Sequence, residues 1–563
     1  MGGKLKINFE YLFIILFSGI FIFLALAEPW EHKIAHPFPY SYLASDAFFH
    51  QSTTQYIKEQ GVVTNTPPYT VGGYEGVVDA HPPMLFQLTS AISILSGINV
   101  HDSIMIIAVL SLLFAILMIY LIWRQVNKSI AMLALPICLL MLQSRLMPLI
   151  FWGYWLLLTG ILFMVASLWA ITKFDLDCSY IPIVLFLSAT ALAHQPEFIY
   201  AALFFAGFLL IKIIKEKRLD GRLIKKTVIS GSLTASLSFY SLLIFSKTFM
   251  KSEGYRNVWD IEAARGGYPV FNLINLGIIG IIILIGIALF LLSKKKKLAI
   301  PASISLYCFL LGNLVYLGMG KRAYAHRLFW IIYLSFFFGF AIYYLSRLFI
   351  KKINVAYSFI IAIIILSILS YGIYGKTRVG PGIMNQYEWD ALNWVGENLP
   401  KDAWVYYFYS DALTHNAPLY NSKRIAFNIR AGSYVEDLQS QQIKKNYKFK
   451  LADGYPVYLH KTGMLSFCYL NPELKPKNDS FECLKEYKEL GPIPAEDTQK
   501  DLCSIEYYYF AKAAREPALA QYNLAIGNLL LKNDWIEEIY SNPLVSILKN
   551  NKPGVDCFGN NTQ

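Results

Sequence analysis

The sequence predicts an α-helical polytopic membrane domain followed by a mixed α/β domain outside the membrane. Of the 563 residues, 55% are hydrophobic and only 16% are charged, and the mean hydropathy is +0.42. Apolar runs of about 17–25 residues, long enough to cross a bilayer, recur as far as residue 375. From residue 376 the composition becomes polar, so we predict two domains, 1–375 and 376–563. A soluble globular protein is excluded.

The apolar runs predict about eleven transmembrane helices. The apolar stretch 84–95 is too short to span, and we interpret it as an interfacial or re-entrant helix. With a cytoplasmic N-terminus, the basic segments 212–226 and 294–297 lie inside, as the positive-inside rule requires. The first loop, 28–84, and the C-terminal domain are then extracytoplasmic, in a plasma-membrane protein. The predicted spans are 10–27, 103–123, 129–143, 147–172, 179–194, 197–214, 227–248, 271–293, 298–319, 329–347 and 353–375.

Two features of the sequence concern signal-peptide cleavage and the redox compartment. Ala25-Leu26-Ala27 leaves signal-peptidase cleavage open as an alternative to a retained first span, and the first loop is outside in either case. Four cysteines fall in the C-terminal domain, where an oxidising compartment would allow two disulfides. They are Cys468, Cys483, Cys503 and Cys557.

The net charge of +12 does not indicate nucleic-acid binding. The Lys and Arg residues occur in short clusters between apolar segments, where they set membrane topology. The central parts of the predicted spans lack Asp, Glu, Lys and Arg, which disfavours a transporter. The chain has no nucleotide-binding, zinc-protease or serine-hydrolase motif in a suitable context. We therefore expect the site at the outer ends of the spans.

The first loop carries the strongest candidate cluster. Asp46 and His50 are four residues apart, so a helix would place both on one face, for acid–base chemistry or as a surface pair. Asp79 and His81 precede Pro82-Pro83 at the end of the same loop. Asp46, Asp79 and His81 together offer oxygen and nitrogen ligands for a divalent cation, Mn or Mg, although Asp79 is equally suited to capping a turn.

Other candidates lie in the outer turns between later spans. His194 and Glu197 flank Pro196 in one tight turn, which suits positioning of a substrate. The loop 251–269 contains Trp259 and Glu262, an aromatic ring and a carboxylate of the kind that binds sugars. Between two later spans, a basic run on the outer side breaks the positive-inside rule. Its cationic side chains suit a phosphate or diphosphate, or phospholipid headgroups. These are Lys321, Arg322, His326 and Arg327, with Arg145 as a weaker candidate.

The layout resembles the C-type glycosyltransferases, multi-pass enzymes that use polyprenyl-phosphate or polyprenyl-diphosphate sugars as donors. The resemblance rests on the first span, the external loop opening with Asp46-x-x-x-His50, the short helix after Pro82-Pro83, and the terminal external domain. It implies that Asp46 is a general base or metal ligand and that the basic run 321–327 binds the donor phosphate. The acceptor, a glycan, lipid or protein, stays open.

The sequence departs from individual branches of that superfamily. The Trp-Trp-Asp motif of the oligosaccharyltransferases is absent, so transfer of an oligosaccharide to protein is the alternative. The Asp-Glu pair of the protein mannosyltransferase and aminoarabinose-transferase branches is also absent, because Ala47 follows Asp46. A flippase or transporter of lipid-linked saccharide is the rival from another class.

In the C-terminal domain, the pattern predicts a helix over 387–399, a strand over 404–408, and a hairpin formed by 535–540 and 544–548. Tyr507 to Tyr509 are predicted to pack in the core rather than to stack on sugar.

Overall fold

The structure is a computed structural model. It describes residues 9–27, 29–62, 81–142, 148–174, 179–217, 220–239, 241–243, 277–293, 298–317, 321–349, 380–414, 416–428, 459–460, 463–464, 502–513 and 517–557.

Apolar helices dominate the N-terminal part. Five described segments are long and apolar enough to cross a membrane: Phe9–Ala27, Val100–Arg124, Trp155–Thr172, Gln195–Lys215 and Ala323–Arg347. Shorter helical stretches are Met84–Ser96, Lys128–Leu142, Ile181–Ala193, Gly221–Leu237, Ile278–Leu292 and Ala299–Leu311. Helix occurs in every predicted span from 10–27 to 329–347, and the last, 353–375, lies outside the described residues. The predicted short helix at 84–95 is confirmed as Met84–Ser96.

Polar contacts and glycines join the helices. Glu10 is buried and contacts Tyr120, Arg124 and Lys128, which joins the start of the first helix to the end of Val100–Arg124. The first two apolar helices are therefore antiparallel, as a single loop between them requires. At Gly286, an added Cβ would overlap the carbonyl of Phe337, so a small residue allows two helix backbones to touch.

The C-terminal domain is built on a five-stranded sheet. Its strands are β1 Trp404–Phe408, β2 Ile425–Asn428, β5 Tyr507–Ala511, β6 Ile536–Ser541 and β7 Val545–Asn550, and a separate pair is formed by β3 Leu459–His460 and β4 Gly463–Met464. The order in the sheet is β2-β1-β5-β7-β6. β1 pairs in parallel with β2 and β5, whereas β7 pairs antiparallel with β5 and β6. The predicted strand 404–408 and the predicted hairpin are confirmed.

Helices cover this sheet. The predicted helix 387–399 is confirmed as Gln386–Asn398, which we call the domain helix, and its start is closed by a capping box between Asn385 and Glu388. Pro517–Leu530 is a second helix, which contacts β5. Tyr507, Tyr508 and Tyr509 are all buried in the strand between them, so the prediction of core packing is confirmed.

Two of the four cysteines expected in disulfides, Cys503 and Cys557, are bonded to each other, which joins the segment before β5 to the end of the described chain. Cys468 and Cys483 lie outside the described residues, so a second disulfide stays a prediction.

The domain packs against the first loop. The loop contains the helix Ser45–Gln60, which we call the first-loop helix. The amides of Gln51 and Asn421 exchange two hydrogen bonds, of 2.9 and 2.8 Å, and Asn416 donates to the carbonyl of Ser45 at 3.1 Å. The first loop and the C-terminal domain therefore lie on the same side of the helical bundle.

Candidate active site

A buried polar cluster fixes the first loop on the helix Val100–Arg124. The backbone N–H and Nδ1 of His36 both donate to the carboxylate of Asp102, at 2.8 Å each. His101 Nε2 donates to the carbonyl of His36 at 2.8 Å, and the hydroxyl of Tyr42 donates to the carbonyl of His101 at 2.9 Å. Sequence reasoning missed this cluster, although His101-Asp102 at the start of a long apolar run was a signal for it.

The first-loop helix places Asp46 and His50 one turn apart, as predicted. Its start packs on Gly153, whose φ of +87° suits glycine and where a Cβ would meet the backbone nitrogen of Ala47 at 2.5 Å. Asp46 is half-buried and His50 is buried, with its ring 5.9 Å from that of Trp155. Burial, reinforced by the charge of His81, holds the pKa of His50 well below its usual range. His50 is therefore a neutral imidazole at pH 7.

His81 joins this group from the far end of the loop. Its ring lies 5.0 Å from that of Phe49 and 6.0 Å from that of His50. Asp79 lies outside the described residues. Among the described residues, no three His, Cys, Asp or Glu side chains are grouped as a metal site would need. The metal site formed by Asp46, Asp79 and His81 stays a prediction.

A second cluster centres on the buried carboxylate of Glu197. His194 Nδ1 donates to Glu197 Oε2, and His326 Nε2 lies 3.2 Å from Oε1 without hydrogen-bond alignment. The other ring nitrogen of His326, Nδ1, is 3.1 Å from the hydroxyl of Tyr333. With a carboxylate at Nδ1, a neutral His194 ring carries its lone pair on Nε2. The sequence linked His194 to Glu197, and the structure adds His326.

The helix Trp155–Thr172, which we call the central helix, brings together the first-loop cluster around His50 and the cluster around Glu197. Trp155 at its start contacts His50, whereas Gly160 lies against the turn that holds the second cluster. A Cβ at Gly160 would meet that of His194 at 2.5 Å, so glycine permits this approach. Five residues of helix separate the two contacts by about 7.5 Å.

The basic run begins as the helix Lys321–Ala325 and continues as the 3-10 turn His326–Phe329. The side chains of Lys321 and Arg322 lie outside the described part of the structure. Arg327 is buried, and its Nε donates to the carbonyl of Gly312 at 2.9 Å. Its guanidinium also lies about 5 Å from three aromatic rings, those of Tyr316, Tyr324 and Trp330. These contacts are structural, and phosphate binding by the basic run stays a prediction.

Three further candidates cannot be placed. Arg145, Trp259 and Glu262 lie outside the described residues, so their roles also stay predictions.

No protein-family model and no curated protein matches the sequence. Solved structures, however, share its architecture. ArnT from Cupriavidus metallidurans in the apo state superposes with a TM-score of 0.53, covering 96% of this chain and 97% of ArnT at 11% identity. Arabinofuranosyltransferase AftD from Mycobacteria gives 0.54 at 12% identity, over 98% of this chain and 40% of AftD.

The chain has the fold of the C-type membrane glycosyltransferases. The likeness to ArnT extends over nearly the whole of both chains, so it includes the C-terminal domain as well as the helices. A second ArnT structure, bound to undecaprenyl phosphate, matches with a TM-score of 0.51 at 11% identity, over 96% of this chain and 97% of ArnT. The predicted resemblance to the C-type glycosyltransferases is thus confirmed for the fold.

Proposed function

We propose that the protein is a membrane glycosyltransferase that moves a sugar from a polyprenyl-(di)phosphate donor to an acceptor on the extracytoplasmic face. The observation that carries this proposal is the meeting of two clusters on the central helix. His50 reaches it from the first loop, and His194 with Glu197 reaches it from the start of the helix Gln195–Glu216. The C-type fold adds support, as does ArnT, which was solved with undecaprenyl phosphate bound.

The proposed placement puts the N-terminus in the cytoplasm and the domain 376–563 outside the plasma membrane. The disulfide Cys503–Cys557 supports this placement, because disulfides persist in oxidising compartments. The contact between Gln51 and Asn421 puts the first loop on the same side as that domain. Both substrates would then meet at the outer ends of the helices 1–375.

In the proposed reaction, Asp46 takes the proton of an acceptor hydroxyl, and the hydroxyl oxygen attacks the anomeric carbon of the donor. The bond from that carbon to the lipid-phosphate oxygen breaks, and the phosphate leaves with the electron pair. A single displacement inverts the anomeric configuration. His50, His81, His194 and Glu197 position the substrates. Lys321, Arg322, His326 and Arg145 are the candidate contacts for the phosphate, whereas Arg327 is held by Gly312 and three aromatic rings.

A divalent cation fits this scheme through the chemistry of its ligands. Asp46, Asp79 and His81 would hold Mn or Mg, and the bound ion would stabilise negative charge on the departing phosphate.

The test is transfer of radiolabelled sugar from polyprenyl-phosphate donors by the purified protein in lipid vesicles. Asp46→Asn is nearly isosteric and removes the charge, so transfer should fall by at least about 10²-fold, the lower end for general acid–base catalysis. Asp390→Asn, on the exposed face of the domain helix, is the matched control and should stay fully active.

Three results would redirect the proposal. Full transfer by Asp46→Asn would remove Asp46 from the reaction. Movement of intact lipid-linked saccharide across the bilayer, without transfer to any acceptor, would instead support the flippase. Transfer confined to a peptide acceptor would support the oligosaccharyltransferase alternative.

A further inference from the structure

A polar cavity of about 330 Å³ lies between the first loop and the C-terminal domain. Its walls come from the first-loop helix, the start of the helix Val100–Arg124, the domain helix and the segment around Asn421. This volume is at the lower end of the range for small-molecule sites, about 300–1,000 Å³. None of the residues Asp46, His50, His194 and Glu197 lines this cavity, and the proposed reaction does not use the cavity.

The chemistry of the walls selects for hydroxyl groups. Five of the lining side chains are amides, which both donate and accept hydrogen bonds as a sugar hydroxyl does. They are Gln51, Gln55, Asn99, Asn393 and Asn421. Among the described residues, the amide of Asn393 and the carboxylate of Glu397 have no hydrogen-bond partner, so both are available to a ligand. Trp389 supplies an apolar surface.

The charge of the walls disfavours an anion. Lys423 is paired with Glu59 at 2.8 Å, and Glu59 also accepts from the hydroxyl of Tyr420 at 2.5 Å. Glu397 then leaves the walls with an excess negative charge. A donor phosphate would be repelled, whereas a neutral ligand would not.

The cavity begins beside the proposed active site. Gln51 follows His50 in the chain, and Gln55 and Glu59 continue the same helix face at intervals of four residues. Eight residues of helix extend this face for about 12 Å away from His50. A ligand lying along this face would have one end close to His50.

We propose that this cavity binds a neutral, hydroxyl-rich saccharide, the acceptor glycan of the proposed transferase. Naming the saccharide as the acceptor rests on the proposed function, whereas its binding does not. Gln55, Asn393 and Glu397 would hydrogen-bond its hydroxyls, and Trp389 would contact an apolar face of a sugar ring.

Binding is tested with the full chain in nanodiscs on an array of neutral oligosaccharides, acidic oligosaccharides and Asn-x-Thr peptides. We expect neutral oligosaccharides to bind. Asn393→Ala should weaken their binding about tenfold, the effect of losing one to two hydrogen bonds. Asn393→Trp should abolish it by filling the cavity. Asn398→Ala, at an exposed position of the same helix that does not line the cavity, is the matched control and should bind normally.

The proposal is overturned if Asn393→Trp binds neutral oligosaccharides as the wild type does. It is also overturned if the wild type binds only acidic sugars, only peptides, or nothing on the array. Sugar transfer is measured separately with the same preparations. Binding at the cavity without transfer would refute the glycosyltransferase but retain a saccharide site. Transfer unaffected by Asn393→Trp would refute the acceptor role of the cavity and leave the transferase standing.

Discussion

His36 donates two hydrogen bonds to the carboxylate of Asp102, one from its backbone and one from its ring, each 2.8 Å long. Both residues are almost fully buried, and they lie 66 positions apart in the chain. The pair fixes the loop segment that leads to Tyr42 and then to the first-loop helix. The position of Asp46 and His50 therefore depends on a contact that takes no part in the proposed chemistry.

Replacing Asp102 by Asn should loosen the first loop. The amide of Asn offers one acceptor oxygen where two donors arrive, and leaving a buried donor unpaired costs about 1–3 kcal/mol. We expect a lower Tm and faster hydrogen exchange in residues 29–43. Asp390→Asn is the exposed control. Unchanged exchange in 29–43 would show that the loop is held by its apolar contacts alone.

Glu197→Gln should impair the proposed transfer. The carboxylate orients His194 and lies against His326, and a hydrogen bond to a charged group is worth about 1.5–3 kcal/mol. We expect kcat/KM to fall about 10–100-fold.

Glu10→Gln is the matched control, because Glu10 is also a buried carboxylate whose partners are basic side chains. It lies at the other end of the helical bundle, about 36 Å along the helix that begins at Val100. Both variants should lose stability, and only Glu197→Gln should lose kcat/KM beyond its effect on Tm. Equal kinetic losses in the two variants would contradict a role of Glu197 at the site.

The local sequence pattern was enough to predict the helix, the strand and the hairpin of the C-terminal domain. Trp404 to Phe408 are aromatic and β-branched residues, which suit a buried strand, and Ser541-Asn542-Pro543 marked the hairpin turn. The same holds for the pair His194 and Glu197, whose spacing of three residues brings them together on any turn that starts a helix.

Long-range polar pairing could not be predicted from the sequence. The hydrogen-bonded amides of Gln51 and Asn421 are 370 positions apart, and no periodicity connects them. The sequence also grouped His326 with the neighbouring cations as a phosphate contact, whereas in the structure His326 lies beside Glu197. Neighbours in a short helical run point to different sides of the helix, so a cluster in the sequence need not form one site.

Arg327→Lys separates a structural role from phosphate binding. Lysine keeps the charge but lacks the planar group that donates to Gly312 and lies over three aromatic rings. We expect a loss of about 1–3 kcal/mol in the free energy of unfolding, seen as a lower Tm, with donor affinity unchanged. Arg347→Lys, an exposed position near the end of the same helix, is the control. Normal stability with weakened donor binding would instead assign Arg327 to the phosphate.

Glu388 should make the domain helix sensitive to pH. Burial raises the pKa of this carboxyl from 4.5 to about 7, although the nearby hydroxyl of Ser410 and a hydrogen bond from the backbone of Asn385 oppose the rise. Below pH 4.5, Glu388 is protonated in both the folded and the unfolded chain. Between pH 4.5 and about 7 only the folded chain keeps the proton, so the free energy of unfolding falls as pH rises, by about 3 kcal/mol in all.

Hydrogen exchange in the helix Gln386–Asn398, corrected for the intrinsic effect of pH, measures this change. Protection should fall between pH 4.5 and 7.5 in the wild type. It should stay level in Glu388→Gln, because Gln is neutral throughout and still accepts the capping hydrogen bond from Asn385. Glu397→Gln, an exposed residue of the same helix, should behave as the wild type. A fall in protection that persists in Glu388→Gln would mean that a different group titrates, and that the buried carboxyl does not control this helix.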